Sequence, residues 1–194
     1  MKNQSYRIRK MPKAWLIIAV LIILGVIISL SMRSPTPIHQ SISPIELRQT
    51  VANICGSNTL PKLIIVSIGK RHLWACNGKT RAFDSAVVTG MENLPADLTP
   101  TGTYHIYAKQ TDLYLDGSDS TGSWHDHAYY WMPFLNNQYG TYGFHDATWR
   151  TDKDFGNIDP NSDKASHGCV ELPLITAIRL YDWSDIGTTI IINP

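Results

Sequence analysis

Charge is missing from one long segment of the sequence. No Asp, Glu, Lys or Arg lies between Lys13 and Arg33, and the 19 residues 14–32 (AWLIIAVLIILGVIISLSM) are nearly all apolar. An α-helix of this length is about 28 Å long, close to the thickness of the hydrocarbon core of a bilayer. We therefore predict a transmembrane helix at 14–32 and exclude it from the core of the domain that follows.

Acidic residues are also missing before this segment, because residues 1–13 carry only positive charge. Positive charge is retained on the cytoplasmic side of a membrane. We predict a cytoplasmic tail at 1–13 and place the residues after Arg33 outside, in the periplasm or the cell wall. The alternative is a cleaved signal peptide, since the small residues of SLS at 29–31 are spaced like a cleavage site. The length of the apolar run favours the retained anchor.

The exported part has no cluster of basic residues. From residue 33 onward it contains 12 Lys or Arg and 16 Asp or Glu, which argues against nucleic acid as a partner. The segment 33–43 has two prolines and no periodicity, as expected for a spacer. SPIE at 43–46 is a capping-box pattern, so a leading helix is predicted at 44–59 with its end near Gly56.

Residues 60–194 have the size of one domain and are rich in short strand patterns. KLIIVSI, RHLWAC, TYHIYA and TIIIN are predicted strands, and the NG at 77–78 predicts a hairpin turn. The one helix pattern in this part is LPLITAIRLYDW, with Leu174, Ile178 and Tyr181 on a shared face. The predicted fold is mainly β, an antiparallel β-sandwich or barrel with a minor helix.

The sequence has only three cysteines. Disulfides persist outside the cell, and a bond between Cys55 and Cys76 would tie the leading helix to the sheet. Such a bond closes a loop of about 20 residues and contributes on the order of 3 kcal/mol. The alternative is two reduced, buried thiols, and the sequence alone leaves both open.

The third cysteine, Cys169, lies in ASHGCVELP, which differs from a core segment. A reactive thiolate needs positive or donor groups nearby, and Ser166 and His167 are adjacent in sequence. His145 follows a turn-rich segment and is a second imidazole. Gly168 allows close backbone approach, and amides in such a turn can stabilise an oxyanion. Together they are the parts required for acyl transfer by a cysteine.

Several motifs extend this pattern. They are SHGCV, FHDATWR upstream of it, TPTG about 45 residues before His145, and IIVSIGKRHLWACNGKTRAFDSAVVTG. With these motifs the chain resembles the catalytic domain of the L,D-transpeptidases (YkuD-type) from about residue 62 to its C-terminus.

The resemblance implies a cysteine enzyme of the bacterial cell wall that needs no cofactor. Such enzymes attack the peptidoglycan stem peptide after its third residue, expel the terminal D-alanine and pass the acyl group to an amine. By position, Cys169 is the nucleophile, His145 the base, and the backbone carbonyl of Asp146 orients that base. The amides of Gly168 and Cys169 form the oxyanion hole. The residues that shape the pocket are Ser166 and His167.

The chain departs from the family pattern at two places. Glu171 stands where the family usually has Arg or Asn, and a carboxylate pointing into the site would raise the histidine pKa. The interval between His145 and Ser166 holds 20 residues, somewhat more than usual, and is predicted to be a surface loop. Arg150 and Glu171 are therefore further candidates for substrate binding.

Two other groups of residues have alternative interpretations. Tyr130 and Trp131 of YYWMPF could line the substrate groove, although such a run is more often core. His125 and His127 of WHDH could bind zinc with His145 and Cys169, but the spacing matches no known metal pattern. A hydrated strand or loop edge is the favoured interpretation, and no metal is expected.

Three other functions compete with the L,D-transpeptidase interpretation. Water could resolve the thioester, which would make the enzyme a carboxypeptidase or endopeptidase. The domain could also bind the wall without turnover, although a binder has no use for a Cys flanked by Gly and candidate bases. A sortase is disfavoured because its Thr-Leu-x-Thr-Cys setting is absent. The expected partners are peptidoglycan stem peptides and, through the anchor, the membrane.

Overall fold

The computed structural model describes residues 54–118 and 122–194. The predicted cytoplasmic tail (1–13), transmembrane helix (14–32) and spacer (33–43) lie outside these residues. So does most of the predicted leading helix, and its described end, 54–57, forms a turn. Within the described part of the chain, no helix has the length and apolar character needed to cross a membrane.

The described residues form nine strands and one helix. The strands are β1 (Lys62–Ser67), β2 (His72–Asn77), β3 (Thr80–Ala86), β4 (Gly102–His105), β5 (Gln110–Ser118), β6 (Ser123–Asn137), β7 (Gly140–Asp146), β8 (Val170–Leu172) and β9 (Thr189–Asn193). The helix, α1, spans Leu174–Trp183.

The strands form two sheets, with the orders β3-β2-β1-β9-β4 and β5-β6-β7-β8. The fold is therefore mainly β with one short helix, as predicted, but it is not a closed barrel. The prediction of a purely antiparallel arrangement is also wrong, because β1 pairs with β9 and β7 with β8 in parallel. Hairpins force antiparallel neighbours, whereas long connections allow either direction. Both β8 and β9 are reached through such connections.

One hydrophobic core joins both sheets and the helix. It includes Ile64 of β1, Ile190 of β9, Phe144 of β7 and Leu180 of α1, all fully buried. The predicted apolar stripe of the helix is partly wrong, because Leu174 is exposed and the buried residues of α1 are Ala177 and Leu180. Leu174 lies in the first turn of α1, and the face that meets the sheets is formed by Ala177, Leu180 and Tyr181.

The opposite face of the first sheet carries a smaller cluster. Leu63, Ile65 and Trp74 pack there against Cys55 and Cys76, and the two cysteines form a disulfide. The bond ties the described start of the domain to β2. The NG turn also lies where the sequence predicts it, joining β2 to β3 with Asn77 paired to Thr80.

Candidate active site

Two adjacent parallel strands, β7 and β8, form the floor of the candidate site. The register pairs Phe144 with Val170 and His145 with Glu171. Side chains alternate between the two faces of a strand. Because Phe144 and Val170 are fully buried in the core, His145 and Glu171 project together from the opposite face, into a cleft.

His145 is held in one orientation by its own strand. Its side chain is only 4% exposed, and Nδ1 lies 2.9 Å from the carbonyl oxygen of Asp146. A carbonyl can only accept, so Nδ1 carries the proton and donates it. This leaves Nε2 to interact with Cys169. The carbonyl predicted to orient the histidine is in contact with it.

The pKa of His145 is raised to about 9. Burial is the largest single influence and lowers the pKa, whereas the hydrogen bond to Cys169 and the charge of that thiolate raise it. The Glu171 carboxylate and the Asp146 carbonyl raise it further. The site therefore favours an imidazolium, which is the form that can pair with a thiolate and later donate a proton.

Cys169 is the one free cysteine among the described residues and is partly exposed in the cleft. Gly168 precedes it with φ +100, and a Cβ there would lie 2.3 Å from the ring of Tyr142. Only glycine fits this conformation and this space. The hydroxyl of Ser166 donates to the carbonyl of Cys169 at 2.6 Å, which holds the loop that carries the thiol.

Thr99 is a positioning residue that the sequence analysis did not single out. Its fully buried hydroxyl accepts from the amide of Gly90 at 2.7 Å and donates to the carbonyl of Gly168 at 2.9 Å. A Cβ on Gly90 would lie 2.6 Å from the Cα of Gly168, so the two segments are in tight contact. The TPTG motif, which begins at Thr99, was the available signal.

The cleft has a volume of about 660 Å³. Cys169 and His145 both line it, and Trp131 forms a wall with its ring 5.9 Å from that of His145. The ring of His167 stacks on Trp124 of β6 at 3.7 Å. The stack connects the loop before β8 to the β5–β6 hairpin, which forms the other side of the cleft.

Two of the candidate substrate-binding residues do not line the cleft. Tyr130 packs its ring against Tyr181 of α1 instead, 5.2 Å away, which does not support a substrate-binding role. The Nε of Arg150 donates to Glu171. Glu171 itself lines the cleft with Trp131. Of the four candidate substrate-binding residues, Trp131 and Glu171 therefore line the cleft, whereas Tyr130 and Arg150 do not.

The two histidines of WHDH lie away from this arrangement. His125 and His127 pair with Asp116 and Asp112. They share one face of β6, while Trp124 projects from the other face towards His167. Within 54–118 and 122–194, no three His, Cys, Asp or Glu side chains are grouped so as to hold a metal ion.

Comparison with known proteins gives the class to which this fold and site belong. A family model described as the L,D-transpeptidase catalytic domain (YkuD) matches residues 61–192. The chain belongs to this family.

Individual relatives agree with the family match. YciB of Bacillus subtilis (strain 168), described as a candidate L,D-transpeptidase, is 22% identical over 132 residues, which are 67% of this chain and 64% of that protein. The crystal structure of a cysteine-to-serine mutant of an Enterococcus faecium L,D-transpeptidase is 26% identical with a TM-score of 0.58. That match covers 68% of this chain and 49% of the other.

A shorter structure matches along nearly its full length. It is the NMR structure of the E. faecium catalytic domain acylated by ertapenem, 26% identical with a TM-score of 0.55. The match covers 68% of this chain and 95% of that domain.

Proposed function

We propose that the chain is a peptidoglycan L,D-transpeptidase in which Cys169 and His145 carry out the chemistry. The observation that carries this proposal is the hydrogen bond that fixes Nδ1 of His145, which directs the other ring nitrogen to a free thiol in an open cleft. The family membership supports the reaction type.

In the proposed acylation, the thiolate of Cys169 attacks the carbonyl carbon of the third residue of the stem peptide, in the amide bond to the terminal D-alanine. The amides of Gly168 and Cys169 stabilise the resulting oxyanion. As the C–N bond breaks, the imidazolium of His145 gives its proton to the departing amine of D-alanine. The product is a thioester between the shortened stem and Cys169.

In the proposed second step, an amine acceptor attacks the thioester. Neutral His145 takes a proton from the attacking nitrogen, the C–S bond breaks, and the thiolate–imidazolium pair is restored. Every proton is accounted for by one imidazole and one thiol, so the steps require no metal or organic cofactor.

The test is mass spectrometry of tetrapeptide-bearing muropeptides incubated with the full chain, with Cys169→Ala as control. Loss of D-alanine together with a new amide-linked dimer, absent from the control, supports transpeptidation. Loss of D-alanine alone indicates that water is the acceptor and that the enzyme is hydrolytic. No change in any muropeptide indicates a wall-binding domain and overturns the proposal.

Covalent labelling gives a second test. The E. faecium domain is acylated by ertapenem, and we expect the same drug to add its mass to Cys169 of this chain. The adduct is located by tryptic mass spectrometry. An adduct that survives in Cys169→Ala would contradict the assignment of the nucleophile.

We further propose that the domain lies outside the cytoplasm on a membrane anchor at 14–32. The Cys55–Cys76 disulfide supports an oxidising compartment, and the uncharged segment supports the anchor. Protease added to intact, wall-stripped cells should remove the C-terminal domain and leave a membrane-bound fragment. A domain protected from the protease would contradict this topology.

A further inference from the structure

Glu171 is a strand neighbour of the proposed base. The parallel register of β7 and β8 pairs its Cα with that of His145, and paired residues project from the same face of a sheet. Both side chains line the cleft and both are buried. A carboxylate is therefore built into the wall beside the imidazole.

Arg150 partners this carboxylate from the other side. Its Nε donates to Oε2 of Glu171, and the two side chains are 12% and 6% exposed. The amide of Arg150 donates to the carbonyl of Ala147 at 3.0 Å, which fixes Arg150 in the turn after β7. Glu171 and His145 both line the cleft and Arg150 does not, so the guanidinium lies behind the carboxylate, on the side away from the cleft.

Among the described residues, two ionisable side chains act directly on His145. They are Cys169, from the loop before β8, and Glu171, from β8 itself. Arg150 lies one contact further away, through Glu171. The uncharged groups around the imidazole are the carbonyl of Asp146 and the rings of Trp131 and Trp149.

Glu171 and Arg150 have opposite effects on the charged form of His145. A nearby carboxylate favours the imidazolium, whereas a nearby guanidinium disfavours it. In a poorly solvated site both effects are stronger than in water. Arg150 also keeps the buried carboxylate from being left without a counter-charge, which is costly.

We propose that Glu171 and Arg150 are a positioning pair for the reaction: Glu171 stabilises the charged form of His145, and Arg150 limits that effect. The pair thereby sets the pH range over which the thiolate–imidazolium pair exists. This inference rests on the proposed function, because it takes His145 as the base of Cys169. It assigns a role to a buried carboxylate that the proposed reaction steps do not use.

The test is an NMR titration of the His145 ring in the full chain in detergent, in a Cys169→Ala background that removes the thiolate. Glu171→Gln should lower the titration midpoint by on the order of one pH unit. Arg150→Gln should raise the midpoint, and Arg150→Lys, which keeps the charge, should leave it near that of the background. Shifts of opposite sign are the signature of the pair.

A purely structural role predicts a different result. Either no shift, or shifts of the same sign in Glu171→Gln and Arg150→Gln, would overturn the proposal. If Glu171→Gln fails to fold, the proposal is tested by comparing Arg150→Gln with Arg150→Lys. A His145 titration midpoint that does not move in Arg150→Gln is then sufficient to overturn the proposal. Amide spectra at one pH establish which variants are folded.

The titration needs no substrate, so it separates this inference from the proposed function. Opposite shifts in a chain that leaves all muropeptides unchanged would retain the electrostatic pair and reject the transpeptidase. If the chain is active, the alkaline limb of the pH–rate profile for D-alanine release should shift in Glu171→Gln and Arg150→Gln variants that keep Cys169. Each shift should have the same sign as the shift of the His145 titration midpoint. Alkaline limbs that stay in place would overturn the functional role of the pair.

Discussion

The dipeptide His-Asp occurs twice in this chain, at 125–126 in the β5–β6 hairpin and at 145–146 in β7. His125 pairs with Asp116, and the two side chains are 67% and 65% exposed. His145 is 4% exposed and donates to the backbone carbonyl of Asp146. Exposed charges interact weakly through water, while a buried imidazole responds strongly to each neighbour. Burial, and not the dipeptide, distinguishes a surface ion pair from a candidate base.

The aspartates of the two dipeptides differ in the same way. The carboxylate of Asp146 is fully buried and accepts from the amide of Tyr130 at 2.8 Å, which links β7 to β6. Asp126 is half-buried and lines the cleft. In β7 both polar residues are held by the backbone, so the geometry of the site is fixed before any substrate enters.

The largest expected difference between the two regions is in catalysis. His145→Gln should lower kcat/KM for D-alanine release by about 10²–10⁴-fold, the usual contribution of a general acid–base residue. The matched control, His125→Gln, should stay within about twofold of the wild type. Both are measured on the same muropeptide donor, and equal losses in the two variants would remove the distinction drawn from burial.

Two glycines test the backbone in the same comparison, one beside the candidate site and one in the β5–β6 hairpin. Gly168→Ala introduces a Cβ 2.3 Å from the Tyr142 ring at φ +100 and should lower the free energy of unfolding by about 3 kcal/mol. Gly122, beside β6, also has a positive φ, but an added Cβ there would meet no atom of the described residues within 4 Å, its chain neighbours aside, so Gly122→Ala is the matched control. It should cost about 1 kcal/mol. Urea unfolding of both variants measures the difference, which a similar loss in each would contradict.

The raised pKa of His145 predicts that the stability of the folded chain depends on pH. Because the folded-state pKa of about 9 lies above the ordinary value of 6.5, the stabilisation is complete below 6.5 and is lost as pH rises through about 9. Urea midpoints between pH 6 and pH 10 should therefore fall in the wild type. The fall should be smaller in His145→Gln than in the wild type. A wild-type curve that rises over this range would have the wrong sign.

The smallest expected effect concerns the exposed ion pair of the hairpin. Asp116→Asn removes the partner of His125 and should change the free energy of unfolding by less than about 1 kcal/mol. Added salt should reduce even this difference, because ions screen exposed charges. A loss of several kcal/mol would show that the hairpin pair is as important as the buried groups of β7.

Local patterns predicted four of the nine described strands and the helix. KLIIVSI, TIIIN and LPLITAIRLYDW correspond to β1, β9 and α1, because alternation, β-branched residues and helical spacing act over a few residues. The direction in which β8 and β9 join their sheets was not predictable in this way. It depends on which strands meet after a long connection, and no local pattern encodes that choice.

The candidate site shows the same division. Cys169, His145 and Gly168 were found from short motifs, because reactive groups and a tight turn carry their own residue types. Thr99 was not singled out, since its buried hydroxyl acts on Gly90 and Gly168 across distant parts of the chain. Tyr130 and Trp131 were both candidates for the groove, and the sequence does not show that Tyr130 packs against Tyr181 of the helix instead.

Residue types and short spacings thus determined the candidate reactive groups, several of the local strands and the cysteine that is left outside the disulfide. Only the tertiary structure decided that Glu171 stands beside His145 with Arg150 behind it. Arg150 and Glu171 are 21 residues apart, and the parallel pairing of β7 with β8 brings them together. Charges that are far apart in sequence influence one another strongly only when folding brings them close together and removes the water between them.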